Sequence, residues 1–318
     1  MQDVFDFPWQ VATEGYRWVR TKAAPPPLGN GNEGLFLTSA MPLLTPRSYS
    51  PLQEYPALFR SFIETAPTED GILAFANQYG PLGGNISTRI FLPNHHVTQG
   101  ELLGAWQIAR DALKQAVTLW DMVEAGNFEG VAQHIVWKDK RVDYHSHPGR
   151  SVNAVSPVDV PTLATIASQE IRPDLLERFQ EGEVGQPARY YVQEVINRHL
   201  EGRISPRLLW NHERTQLGLY HVPHGLIGAL WLQFAQAIAG NKKYHQCKYC
   251  GTWIEMSLEA SRPTRDYCSN ACRFKAYRKR QEDAYRLSQE GIPLKEIAKR
   301  LGTDTATAKG WIKKRKEA

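Results

Sequence analysis

The chain has no run approaching the about 18 consecutive apolar residues that a membrane-crossing helix needs. It has no Gly-x-Ser-x-Gly nucleophile elbow, internal repeat or low-complexity tract. Gly80-Pro-Leu-Gly-Gly84 is rich in glycine, but it lacks the Lys-Ser/Thr of a phosphate loop and the G-x-G-x-x-G frame of a dinucleotide fold. It reads as the stop after a helix. The opening residues, Met1 to Asp6, are acidic and lack the basic and apolar regions of a secretory signal, so a cytoplasmic location is expected and disulfides are disfavoured. His145 with His147, and His221 with His224, are the remaining candidates for a metal or acid–base site. Pro148 and Pro223 place both pairs in turns with no carboxylate cluster beside them. Ordinary histidines are expected, with no catalytic residues, no cofactor-binding residues besides metal ligands, and no enzyme.

Cysteine is scarce too, and all of it is in one place. Cys247, Cys250, Cys268 and Cys272 are the chain's four, spaced C-x2-C-x17-C-x3-C. Two close pairs across a loop of that length match a tetrahedral structural zinc site. A thioredoxin-like pair would sit between strand and helix, whereas Lys248-Tyr249 lies in a polar, aromatic stretch with a second pair downstream. Four thiolates leave no open position, so a single Zn2+ here would hold structure and do no chemistry. Cys268 and Cys272 are expected on one helix face, with Ser269 or Asn270 capping. Cys247 and Cys250 fit a knuckle turn eased by Gly251, followed by a short strand over Thr252–Glu255. Turn, hairpin and helix in that order make a treble clef.

Charge divides the chain more sharply than hydropathy. Residues 241–318 hold 19 Lys+Arg against 9 Asp+Glu, and residues 1–240 hold 19 against 24. A basic terminal segment on an acidic body is the electrostatic footprint of a nucleic-acid-binding tail. Part of that charge, at Lys248, Arg265, Arg273 and Lys275, serves equally to offset the net −2 of a zinc with four thiolates. The last 27 residues predict two helices. Pro293 starts the first, Leu294–Leu301, and Gly302 stops it. Thr303, Asp304 or Thr305 caps the second, with Ala308, Trp311 and Ile312 inward. Small Ala298 and a glycine turn fit a helix-turn-helix. The recognition helix is then Asp304–Lys314, presenting Asp304, Thr305, Ala306, Lys309, Gly310 and Lys313, with Thr307 also among the candidate contacts and Lys314 and Arg315 at phosphates. Arg273, Lys275, Arg278, Lys279 and Arg280 extend the zinc helix as a basic spoke along the backbone. The reader lacks Arg, Asn or Gln for bidentate base contacts, so modest sequence specificity is expected. Gly310 implies either close approach of DNA or a frayed helix.

Cys247-Lys-Tyr-Cys-Gly-Thr-Trp, Arg265-Asp-Tyr-Cys-Ser-Asn-Ala-Cys-Arg273 and Ala276-Tyr-Arg-Lys-Arg280 together resemble the bacterial CGNR-type zinc fingers that close ABATE-domain proteins. The Gly-Asn that names that motif is missing, and Cys272 is followed directly by Arg273. The resemblance implies a bacterial transcription regulator. Ile72–Gly80 and Leu230–Ala235 are similar to uncharacterised bacterial proteins with the same finger, and the terminal pattern resembles the helix-turn-helix of resolvases and small repressors.

Ahead of the finger, strands are expected at Tyr16–Val19 and Leu35–Thr38, separated by a proline-rich loop over residues 24–31. Helices are expected over Leu52–Glu64, Asp70–Tyr79, Leu102–Glu124, Pro173–Gln180, Tyr190–Leu200 and Leu226–Ile238, and a hairpin over Gln133–Trp137 and Arg141–Tyr144. Trp106, Ala109, Leu113, Val117 and Trp120 repeat at helical spacing and mark the strongest of these. Leu226–Ile238 delivers the finger, with Lys242-Lys243-Tyr244 as the hinge. The expected fold is mainly α with small β elements, α+β in class. Residues 1–240 form an ABATE-like helical domain of unknown input, 241–280 the finger, and 281–318 the helix-turn-helix. Double-stranded DNA is the expected partner, and a homodimer is compatible with the terminal helices. Tyr249, Trp253, Tyr267 and Tyr277 in the finger also fit an RNA- or ribosome-associated zinc protein. A protein-interaction adaptor is the third reading.

Overall fold

The structure is a computed structural model. It describes residues 7–25, 31, 33–41, 46–92, 96–138, 141–144, 179–211, 215–256 and 266–316. His145, His147, Arg265 and nearly all of the helix expected over Pro173–Gln180 lie outside the described residues. The chain divides into two compact units between Asn241 and Lys242.

The first unit is α+β. Strands β1 (Trp9–Val11) and β4 (Arg47–Tyr49) pair antiparallel, as do β7 (Ile135–Lys138) with β8 (Arg141–Tyr144) and β9 (Ile204–Asn211) with β10 (Gln216–Pro223). A four-stranded antiparallel sheet runs β2 (Tyr16–Lys22), β3 (Glu33–Ser39), β6 (Val97–Leu102), β5 (Ser87–Phe91). This β content exceeds the two strands and one hairpin expected. β6, β9 and β10 are interrupted by Gly100, Pro206 and Gly218 respectively, which blur the alternation that marks a half-buried strand.

Helices α1 (Pro51–Glu54), α2 (Leu58–Glu64), α3 (Glu69–Tyr79), α4 (Leu103–Glu124), α5 (Phe128–Ala132), α6 (Gly185–Leu200) and α7 (Leu226–Ala239) supply the core. Trp106 of α4 and Trp231 of α7 are fully buried, with Phe59 and Phe62 of α2 and Phe234 of α7 packed around them. The single helix expected over Leu52–Glu64 is two, because Pro56 cannot donate and disfavours helical backbone at Tyr55. Buried Gln233 mends that break. Its amide donates to the carbonyls of Pro51 (2.8 Å) and Tyr55 (2.9 Å) and accepts from the Phe59 amide (3.1 Å). Such pairing is what permits a buried polar side chain on an apolar helix.

The second unit holds β11 (Lys243–Gln246), β12 (Trp253–Met256), α8 (Asn270–Gln289), α9 (Leu294–Arg300) and α10 (Thr305–Lys316). Lys243 and Tyr244, expected in a hinge, are the first residues of β11 instead, paired with Met256 and Glu255. Ala284 and Leu287 of α8, Ile297 and Ala298 of α9, and Ala308 and Trp311 of α10 form one buried cluster, flanked by Ile292, Leu294, Leu301 and Ile312. No helix among the described residues is long and apolar enough to cross a membrane.

Candidate metal centre and basic helices

The β11–β12 hairpin ends in a tight turn. The Cys247 amide donates to the Thr252 carbonyl (2.9 Å), and the Gly251 amide returns to the Cys247 carbonyl (2.9 Å). Gly251 takes φ 73°, the left-handed conformation that closes such a turn without strain. The turn is fastened to the second cysteine pair by the Lys248 amide on the Asp266 carbonyl (3.0 Å) and by a Lys248–Asp266 ion pair (3.0 Å). Ser269 caps α8, its hydroxyl accepting from the Cys272 amide at 3.2 Å. Cys268 therefore lies just before the cap and Cys272 in the first turn. Both were expected on one helix face, and only Cys272 is helical, but extended backbone at Ser269 still swings Cys268 onto the same side.

The four Sγ atoms lie within 4.8 Å of one another, with Cys268 to Cys272 at 3.3 Å and Cys250 to Cys268 at 3.6 Å. A tetrahedral ion with metal–sulfur bonds of about 2.3 Å has ligand sulfurs about 3.8 Å apart, so the four thiols fit one metal ion. None of them is bonded to another, and the distances exceed the about 2.05 Å of a disulfide. Burial opposes ionisation of the Cys247 thiol, but the amides of Cys250, Cys268 and Tyr249 outweigh it and bring the group down to about 6. Burial and the thiols of Cys272 and Cys250 push Cys268 up to about 12. Four thiols crowded together cannot all ionise without a cation among them. Among the described residues they form the one cluster of three or more His, Cys, Asp or Glu side chains able to hold a metal. His224 is engaged elsewhere, with Nε2 2.7 Å from the Ser205 hydroxyl and Nδ1 3.0 Å from the Gly202 carbonyl.

The basic residues differ in exposure and in the partners they have within the chain. Arg273, Lys275, Arg278 and Lys279 are exposed along α8, whereas Arg280 is half-buried with its guanidinium 5.8 Å from the Trp311 ring. On α10, Thr305, Lys309, Lys313 and Lys314 are exposed, as is Gly310. Thr307 and Arg315, both expected at DNA, have partners within the chain. The Thr307 amide and hydroxyl donate to Asp304 at 2.8 and 2.6 Å, capping α10 and holding the Asp304 carboxyl below the usual range. Arg315 reaches Glu282 on α8 at 2.6 Å. Lys248, offered as an offset to thiolate charge, is spent on Asp266. Sequence pattern did not assign these roles to Asp266 and Glu282, and Tyr277, expected as a stacking aromatic, has a hydroxyl that accepts from the Trp311 indole at 3.1 Å. Their partners lie 18 to 34 residues away, beyond any local spacing rule. Comparison of the chain with protein-family models, with curated proteins and with solved structures found no match.

Proposed function

We propose that this protein binds duplex DNA, as a transcription regulator or in a related DNA-site role, with one structural zinc holding its finger and α9–α10 serving as the helix-turn-helix. The observation that carries the reading is the two-sidedness of α10. Ala308 and Trp311 are buried against α8 and α9, and on the opposite side Thr305, Lys309, Gly310 and Lys313 stand exposed in one stripe. A reading helix needs that division, with a packed face fixing its angle and a free polar face for the groove. The α9–α10 turn has Gly302 at φ 61°, and α9 packs through small Ala298.

Gly310 strengthens the case. Nothing lies within 4 Å of a Cβ built there, so no crowding inside the chain demands glycine, and α10 continues past it to Lys316. That leaves room at Gly310 for the close approach of a partner's backbone, which is the reading adopted. The donors support zinc, because four thiolates in a closed tetrahedron suit Zn2+ or iron and two close cysteine pairs across a loop are the usual structural-zinc arrangement. The bacterial regulator reading rests on the CGNR resemblance of the finger.

RNA is the second reading, favoured by one observation. Phe274 is 57% exposed on α8 with the Arg273 guanidinium 5.6 Å from its ring, and Tyr249 is exposed on the knuckle, a stacking surface for single strands. Tyr277, however, is tied to Trp311. A filter-binding competition between duplex DNA and RNA of equal length at two salt concentrations separates the two. Preference for the duplex is expected, and preference for RNA removes the DNA assignment.

A further inference from the structure

Far from the cysteines in sequence, the first unit carries a cleft of about 420 Å³ among β1, β2, β3, β6 and the Pro81–Gly83 segment. Its volume falls within the range of small-molecule sites. Of the residues lining it, Glu101 alone carries a charge. That side chain is 2% exposed. Its carboxylate accepts from the amides of Leu82 (2.9 Å) and Gly83 (2.6 Å) and from the Ser87 hydroxyl (2.7 Å). These bonds fasten the glycine segment to the sheet, so Gly80–Gly84 does more than stop α3. They do not neutralise the charge. No cation pairs with Glu101 among the described residues, and burial pushes its carboxyl above the usual range despite the three donors. A buried carboxylate without a counter-charge is costly, and a core position needing only hydrogen bonds would not require one.

Two aromatic side chains, Trp9 and Tyr16, stand in the wall among proline, glycine, leucine and uncharged polar residues. The Trp9 indole donates to the Pro81 carbonyl at 3.1 Å, and its ring lies against Gly83, where a Cβ would meet it at 2.4 Å. Tyr16 is anchored by the Ala12 amide on its hydroxyl at 3.0 Å, and burial, with a smaller contribution from the Glu101 carboxylate, opposes its ionisation. An indole, a phenol and one carboxyl without a counter-cation around open volume are elements of organic-cation recognition, in which aromatic rings and an anion jointly attract an ammonium.

We propose that this cleft binds a small organic cation, an ammonium on an aromatic or alkyl frame, with Glu101 as its counter-ion and Trp9 and Tyr16 against the frame. The site is independent of what the second unit binds. The test is calorimetry on the full chain with three probes of similar shape: phenethylammonium, neutral 2-phenylethanol and anionic 3-phenylpropionate. The cation is expected to bind at least about tenfold more tightly than either, the effect of one charge-assisted contact. Glu101→Gln should remove that preference. Because Glu101 also fastens a loop, Ser39→Phe, which fills the cleft from the end of β3, provides the second variant and should abolish binding with the melting temperature unchanged. No saturable binding of phenethylammonium at millimolar concentration, equal binding of the alcohol, or binding that survives Ser39→Phe in a folded chain would each overturn the proposal.

Discussion

The two halves of the second unit are held together by different physics. In the cysteine half, Cys247, Ile254 and Ala276 are the buried residues among those described, and the hairpin has two four-residue strands. A two-stranded hairpin of that size is marginal alone in water. In the terminal half, six buried residues from three helices close a small apolar core, reinforced by the Trp311–Tyr277 hydrogen bond and the Arg315–Glu282 ion pair. Sulfur chemistry stands where a core is missing, and a core where sulfur is missing. α8 belongs to both halves, with Cys272 in its first turn and Ala284 and Leu287 in its last two.

That contrast can be broken from either side, and the larger effect is expected at the metal. Purified chain should contain about one zinc, and chelation or Cys268→Ser should remove it. Because structural zinc contributes its binding free energy to folding, on the order of 10 kcal/mol, the hairpin amides should lose their protection from hydrogen exchange. Amides of α9 and α10 should keep theirs. A metal-free chain with an equally protected hairpin would make the sulfur cluster incidental. The complementary change is Trp311→Ala, expected to cost the terminal helices about 3 to 5 kcal/mol while leaving zinc content at one per chain. Loss of zinc in that variant would mean that the two halves fold as one and that the contrast is false.

How far the fold was legible depended on whether its signals were local. The cysteine spacing, the Ser269 cap, the Gly251 and Gly302 turns and the inward face of α10 all act within a few residues, and each is where its spacing puts it. The strong three-and-four pattern around Trp106 likewise gave α4 to within one residue of its start. Legibility failed where one residue had two uses. Thr307 and Arg315 are chemically suited to phosphate and also bond to Asp304 and Glu282, a second use that their residue types do not announce. The cleft around Glu101 was illegible for another reason. It is assembled from segments as far apart as Trp9 and Glu101, and in sequence Glu101 is one acidic residue after a strand-like stretch. Only the fold, in which β5 pairs with β6 and sets Ser87 opposite Glu101, shows that no cation pairs with it among the described residues.

In the function proposed, the terminal core presents the outer stripe of α10 to duplex DNA. The measurement that bears on it most directly is the salt dependence of duplex binding by the full chain and by Lys309→Ala with Lys313→Ala. Each phosphate contact contributes about 0.9 to the slope of log K against log salt, so the double variant should bind more weakly and its slope should fall by about 2. An unchanged slope would contradict the claim and leave α10 as packing alone.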